Sequence, residues 1–260
     1  MHPVLFEFGP ITIHTYGLLV ASGFMLGIAW TARLGNKEGF DPQVVYDTAF
    51  WLVLSAILSS RLAYVIVEYK HFATHPLDIV KFWEGGLVFY GGVIGAVLAL
   101  YICAKKYGFN LWKFGDIAAP GVALGHVLGR LGCFFAGCCY GQETNVPWAV
   151  TFRDVKSIAP LDVPLHPTQL YDALNELIVF GILTLIRPYK KFNGQIWWTW
   201  VGLYSSGRIV VESFRGDPRG FWFHGLLSTS QILGALGVTL AIAMYFKKRK
   251  DAAGADAGRD

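Results

Sequence analysis

The sequence predicts an all-α, polytopic integral membrane protein that crosses a bilayer about seven times. Three observations lead there. Only 15% of the residues are Asp, Glu, Lys or Arg and 54% are hydrophobic, whereas about a quarter are charged in a soluble domain. The hydrophobic residues are gathered into runs long enough to cross hydrocarbon, for which about 20 helical residues suffice. These runs lack the period-2 alternation of barrel strands, so helices must satisfy the backbone in lipid.

The first run, residues 11–32, has no basic region before it and reads as a first span rather than a cleaved signal peptide. Residues 46–67 follow, then 85–104, entered through Gly85 and Gly86. The fourth span, 114–134, leads into residues 136–167, long enough for a small extracytoplasmic loop subdomain. Residues 168–186, 194–207 and 220–246 complete the set. The first, third, sixth and seventh runs hold no Asp, Glu, Lys or Arg; the others carry charges that need a separate explanation. A single transmembrane domain over 1–250 is expected, with 251–260, rich in Ala, Gly and Asp, as a disordered tail.

Basic residues set the orientation. Alternate loops and the tail hold Arg33, Lys37, Lys105, Lys106, Lys113, Arg187, Lys190, Lys191, Lys247, Lys248, Arg249, Lys250 and Arg259. The opposite side has Lys70, Lys81, Arg153, Lys156, Arg215 and Arg219. The excess places the C-terminus in the cytoplasm and the N-terminus outside. Topology and anionic lipid account for the net charge of +4, so no nucleic-acid partner is expected.

Ionisable residues inside spans cost about 2.5–3.5 kcal/mol each on insertion scales, and so mark interior sites. Arg208, Glu212 and Arg215 follow one another at spacings that share a helical face. Two arginines around one glutamate make a net positive face. Planar guanidinium forks suit phosphate, so the face fits an anionic-substrate site or an ion-paired cluster locking two helices. His126, Arg130 and Cys133 lie in a glycine-rich segment that fits a headgroup site or a small-residue packing surface. Tyr90 stands just inside the third span, and His14 and Tyr16 at the outer start of the first. His166, Gln169 and Tyr171 stand at the outer start of the fifth. The topology converges these groups on one leaflet. Cys133, Cys138 and Cys139 match no zinc-ribbon spacing, and no metal or other cofactor is expected. A disulfide or small packing cysteines remain open readings for them.

Over residues 14–246 the sequence resembles the bacterial prolipoprotein diacylglyceryl transferases. The matching pieces are His14-Thr15-Tyr16-Gly17; Glu84-Gly85-Gly86 through Gly91-Gly92-Val93-Ile94-Gly95; Gly129-Arg130-Leu131-Gly132; His166-Pro167-Thr168-Gln169-Leu170-Tyr171; and Arg208 with Glu212 and Arg215. The resemblance implies a monomeric inner-membrane enzyme with its site facing the extracytoplasmic leaflet. It would move the diacylglyceryl group of phosphatidylglycerol to the lipobox cysteine in the signal peptide of a preprolipoprotein, releasing glycerol 1-phosphate. It implies catalytic roles for Tyr16, Tyr90, Arg130, Arg208 and Glu212. Substrate binding would fall to His14, Arg130, Gly141, His166, Arg208 and Arg215. The chain departs from the family pattern at Tyr90, where a histidine is usual, at Cys133 in place of asparagine and at Cys138 in place of glutamate.

The nucleophile implied is the acceptor's thiolate, so Cys133, Cys138 and Cys139 are not expected to be the covalent centre. With Tyr90 in the histidine's place, His14, His126 and His166 are the candidate bases. The competing readings are a related transfer on another phospholipid or acceptor, and a non-enzymatic transporter of an anionic or lipid substrate. A transporter predicts paired half-repeats, which the sequence does not display.

Overall fold

The computed structural model describes residues 2–9, 11–81, 85–217, 221–222 and 227–257. The chain is an all-α, polytopic membrane protein. In order, its helices are α1 (Thr15–Lys37), α2 (Pro42–Val67), α3 (Tyr69–Thr74), α4 (Phe89–Tyr107), α5 (Leu111–Ala136), α6 (Thr168–Ile186), α7 (Gln195–Glu212) and α8 (Thr229–Ala257). Among the described residues, α1, α2, α4, α5, α6 and α8 are long and apolar enough to cross a membrane. The sixth expected run forms α7, whose last turns carry Arg208 and Glu212 and which is not among those six.

The first and last runs, like the third, begin their helices later than the hydropathy alone suggests. Residues 11–14 form strand β2 (Ile11–His14), paired antiparallel with β1 (Val4–Phe8). Ile11-Thr12-Ile13-His14 alternates and is rich in β-branched residues, which favour a ribbon over a helix. At the far end, α8 starts at Thr229 because Ser228 and Gln231 form a capping box. Gln231 N–H donates to Ser228 Oγ at 3.1 Å, and Ser228 N–H donates to Gln231 Oε1 at 3.0 Å. The α8 helix runs on to Ala257, through alanines that are the strongest helix formers. Residues 136–167 carry a short ribbon, β3 (Val150–Thr151) with β4 (Pro164–Leu165), over an apolar cluster of Phe152, Ala159 and Leu165. A third ribbon pairs β5 (Phe221–Trp222) with β6 (Leu227–Ser228).

The chain divides into two compact units, residues 1–31 with 115–260, and residues 32–114. In the first unit, α1 and α5 meet through glycines at spacings of four on each helix. A Cβ on Gly27 would lie 2.6 Å from the Gly121 carbonyl oxygen, and one on Gly23 would lie 2.8 Å from that of Gly125. Only glycine permits backbones to approach so closely in a membrane. Ala119 and Ala123 of α5 pack with Val179 and Leu183 of α6 and Ile196 of α7 in the unit's apolar core.

Asp116, one of the charges unexplained by the hydropathy pattern, is wholly buried and caps α7. Its carboxylate accepts the backbone N–H groups of Gly194, Ile196 and Trp197 at 2.7, 2.9 and 3.0 Å, and Lys190 lies 3.4 Å away. A helix start offers unpaired donors that lipid cannot satisfy, so this carboxylate is structural.

In the second unit, α2 and α4 pack through Gly91, Gly92 and Gly95. Cβ atoms there would meet Ala63, Ser59, Ser60 and Ala56. Arg61, the embedded charge of α2, donates to the carbonyls of Ile79, Gly85 and Gly86 at 2.9, 2.8 and 3.2 Å. The paired glycines and Arg61 thus shape the entry to α4. Tyr90 is 58% exposed in the first turn of that helix. Glu84 of the same segment, Arg219 and Arg259 lie outside the described residues.

Candidate active site

The first unit gathers most of the candidate residues. Glu212 and Arg208 are one turn apart on α7 and pair at 2.6 Å, and Arg215, just past the helix, lies 3.8 Å from the same Glu212 carboxylate oxygen. All three are buried, as the shared helical face anticipated. From α6 comes Asp172, 3% exposed, which stands 3.6 Å from Arg208 and 3.4 Å from Arg130 of α5. Arg215 also makes a two-pronged contact with Asp217, at 2.8 and 2.9 Å.

This corrects the charge balance expected from the sequence. Arg208, Glu212 and Arg215 alone make a positive face, but Asp172 and Asp217 supply two further carboxylates, so three arginines meet three acids. The physical reason is cost. Removing one member of a buried ion pair exposes the other to a penalty of about 3–5 kcal/mol, so an uncompensated buried guanidinium is rarely tolerated. The pairing leaves hydrogen-bonding capacity over. Arg208 Nη1 and Arg215 Nη1 are buried and make no hydrogen bond among the described residues. Asp172 holds Arg130 and Arg208 at ion-pair rather than hydrogen-bond separation, so both cations are neutralised without being saturated.

His126 of α5 lies 3.3 Å from Glu176 of α6, itself 1% exposed. Asp172 and Glu176 were not singled out from the sequence. The signal was present: two acids four residues apart in an otherwise apolar span share one helical face. Tyr16, in the first turn of α1, packs over Gly132, where a Cβ would come within 3.2 Å of its ring. It is within electrostatic reach of Arg130 and of Cys133, Cys138 and Cys139.

The other candidates are placed differently. His166 contacts the Tyr171 hydroxyl at 3.0 Å, and that hydroxyl accepts from Trp148 Nε1 at 2.7 Å. Gly141 is a backbone crossing. Its N–H donates to the His166 carbonyl at 3.0 Å and it bridges to Arg215, while a Cβ would sit 2.5 Å from the His166 oxygen and 2.8 Å from that of Phe214. Gly141 therefore ties the start of α6 to the end of α7, holding Arg215 in register. His14 is exposed on β2. Tyr90 belongs to the second unit.

Cys133 ends on α5; Cys138 and Cys139 follow the turn at Gly137, whose φ is +74°. The three sulfurs lie within 4.8 Å of one another, and none of them is joined in a disulfide. The Cys139 thiol is drawn below its ordinary range by hydrogen bonds with Cys133 and Cys138 and by the Arg215 guanidinium. Contacts with Cys133 and Cys139, together with burial, push Cys138 the opposite way.

Fold and site together define a polytopic membrane protein with a buried chain of arginines and carboxylates beside a cluster of thiols. A family model described as prolipoprotein diacylglyceryl transferase matches residues 3–247. The chain belongs to that family. The phosphatidylglycerol--prolipoprotein diacylglyceryl transferase of Clostridium tetani is 35% identical over 246 residues, 94% of this chain and 97% of the relative. The protein of the same name from Trichormus variabilis is 34% identical, covering 95% of this chain and 91% of the relative. That from Bacillus velezensis is 31% identical, covering 96% and 93%.

Proposed function

We propose that this chain transfers the diacylglyceryl group of phosphatidylglycerol to the lipobox cysteine of preprolipoproteins, forming a thioether and releasing glycerol 1-phosphate. The observation that carries the reading is the buried series Arg130, Asp172, Arg208, Glu212 and Arg215, in which Nη1 of Arg208 and Nη1 of Arg215 make no hydrogen bond among the described residues. The acceptor thiolate attacks the glyceryl carbon bearing the phosphate ester. The carbon–oxygen bond breaks, and its electron pair leaves on the phosphate oxygen. Arg208 and Arg215 take the charge that grows there, and prepositioning in a site poor in water makes that stabilisation effective.

Arg130 binds the phosphate from α5, and Glu212 keeps Arg208 and Arg215 aimed at it. Tyr16 lines the approach to the thiols. His14 and His166 serve the entering headgroup or peptide, Tyr90 takes the catalytic part that the family motif gives its position, and Gly141 holds Arg215 in register. Phosphatidylglycerol and the preprolipoprotein signal peptide are thus the partners. The protein works as a monomer in the bacterial inner membrane. α7 crosses as well and brings the spans to seven, the N-terminus lies outside, the C-terminus lies in the cytoplasm, and the site faces the extracytoplasmic leaflet.

Expression in bacteria depleted of their own transferase tests the function. The expected result is that a reporter lipoprotein regains the mass of one diacylglyceryl group on its lipobox cysteine, and that Arg208→Ala fails to restore it. A reporter left unmodified by well-folded, membrane-inserted wild-type protein would reject the function.

A further inference from the structure

We propose that Cys133, Cys138 and Cys139 hold a soft divalent metal ion, zinc by its chemistry, and that its fourth coordination position receives the acceptor cysteine of the lipobox peptide as a thiolate. The role in catalysis rests on the transferase reading above; the metal site itself does not. Spacing alone argued against a metal, because the three cysteines match no zinc-ribbon pattern. Folding changes that. The end of α5 at Ala136, the left-handed Gly137 and the left-handed Cys139, at φ +62°, bring three sulfurs to within 4.8 Å of one another.

At zinc–sulfur bonds of about 2.3 Å, tetrahedrally placed sulfurs lie about 3.8 Å apart, so this cluster needs only a small contraction. Its backbone is held in advance. Gln169 Nε2 donates to the Cys138 carbonyl at 2.8 Å, and Thr168 Oγ1 donates to that of Cys139 at 2.7 Å, both from the first turn of α6. Gly137 is closed in by Ser157, which leaves no room for a Cβ. A positive φ at a residue other than glycine, Asn or Asp is uncommon and persists where the surroundings enforce it. Here it turns the Cys139 side chain toward its two neighbours.

Charge and ligand number fit an open site rather than a closed one. Three thiolates around a dication carry a net negative charge. Arg215 contacts Cys139, and Arg130 lies within electrostatic reach of Cys133 and Cys139. Among the described residues no fourth His, Cys, Asp or Glu joins the group. Three protein ligands and one open position are the pattern of catalytic rather than structural zinc. The site also lies beside Tyr16 and the arginines proposed to bind phosphate, where the acceptor sulfur must arrive.

The reaction is an alkylation of sulfur, and it needs a thiolate. Coordination to a divalent metal deprotonates a thiol without a dedicated general base. In the step proposed, the acceptor S–H gives its proton to solvent as the sulfur coordinates. The sulfur lone pair then forms the bond to the glyceryl carbon while the carbon–oxygen bond to phosphate breaks, and the electron pair departs with glycerol 1-phosphate. The product thioether is neutral and a weaker ligand, so it is released. No atom changes oxidation state at the metal.

Cobalt serves as the probe, using full-length protein in lipid nanodiscs stripped with a chelator. One cobalt per chain should bind and give sulfur-to-metal charge-transfer absorption. Cys133→Ser, Cys138→Ser and Cys139→Ser should each weaken binding by more than about tenfold. Cys138→His, with a substitute ligand, should retain it and so separates lost coordination from lost folding. A lipobox peptide should alter the cobalt spectrum, and the same peptide with serine for cysteine should not. Stripped protein should lose transfer and regain it with one equivalent of zinc. No stoichiometric metal, or a disulfide among the three cysteines, overturns the site. A stoichiometric metal whose removal leaves transfer unchanged, or whose spectrum ignores the cysteine peptide, overturns its role in activating the thiol. Wild-type protein that binds cobalt and responds to the peptide but transfers no lipid would instead reject the transferase reading.

Discussion

Asp172 decides how the arginines of the site can act, because it faces both Arg130 and Arg208. In the proposed function, a phosphate arriving between them would compete with a carboxylate that is held loosely and not hydrogen-bonded. Losing a charge-assisted phosphate contact costs about 1.5–3 kcal/mol, or about ten- to a hundredfold in rate when the contact forms in the transition state. Arg208→Ala should therefore lower kcat/KM for lipid transfer by that factor in folded protein, while Arg153→Ala, at an exposed loop position, should leave it unchanged. Equal rates would remove Arg208 from the catalytic site. Asp116 is the opposite kind of buried charge. Asp116→Ala should lower the stability of detergent-solubilised protein by about 2 kcal/mol, the upper end for an N-cap, without changing the turnover of the folded fraction. Thermal unfolding monitored by circular dichroism checks it. Arg208, Glu212 and Arg215 were legible because they stand close together in sequence, at the end of α7 and just past it. Asp172 and Asp116 were not, because each acts on residues far away in sequence, and single-helix spacing carries no information about which helices meet.

At the scale of elements, hydropathy located the six long apolar helices well and several of their starts poorly. Hydrophobic runs register transfer to lipid, whereas the starts are set by local hydrogen bonding. Ser228 and Gln231 begin α8, and the alternating Ile11–His14 stretch makes a strand ahead of α1. The contact between α1 and α5 depends on glycine in a way that hydropathy does not see. A Cβ on Gly121 would lie 2.4 Å from the Gly27 carbonyl oxygen, a backbone atom that cannot rotate away. Gly121→Ala should cost about 1–3 kcal/mol by overpacking. Gly181→Ala meets nothing within 4 Å, and should gain up to about 1 kcal/mol from helix propensity. Melting temperatures of the two variants in the same detergent should move in opposite directions; a parallel shift would contradict the close-approach interpretation.

For the molecule as a whole, the proposed seven spans put the two termini on opposite sides of the membrane. A single cysteine added near His2 should react with an impermeant maleimide in intact cells stripped of their outer membrane, and one added after Lys250 should react only after lysis. Both ends reacting from the same side would require an even number of spans and remove α7 from the set. Composition made the membrane class readable, and the orientation drawn from the basic residues is what this labelling tests. The acids of α6 that join α5 and α7, Asp172 and Glu176, were not readable, since their pairing depends on tertiary packing. The most direct measurement of the central claim uses purified protein in nanodiscs, a lipobox peptide, and phosphatidylglycerol labelled differently in its diacylglyceryl and headgroup glycerols. The diacylglyceryl label should appear on the peptide's cysteine as a thioether, in equal amount to headgroup label released as glycerol 1-phosphate. Headgroup label on the peptide, or an acyl thioester in place of the thioether, would contradict it.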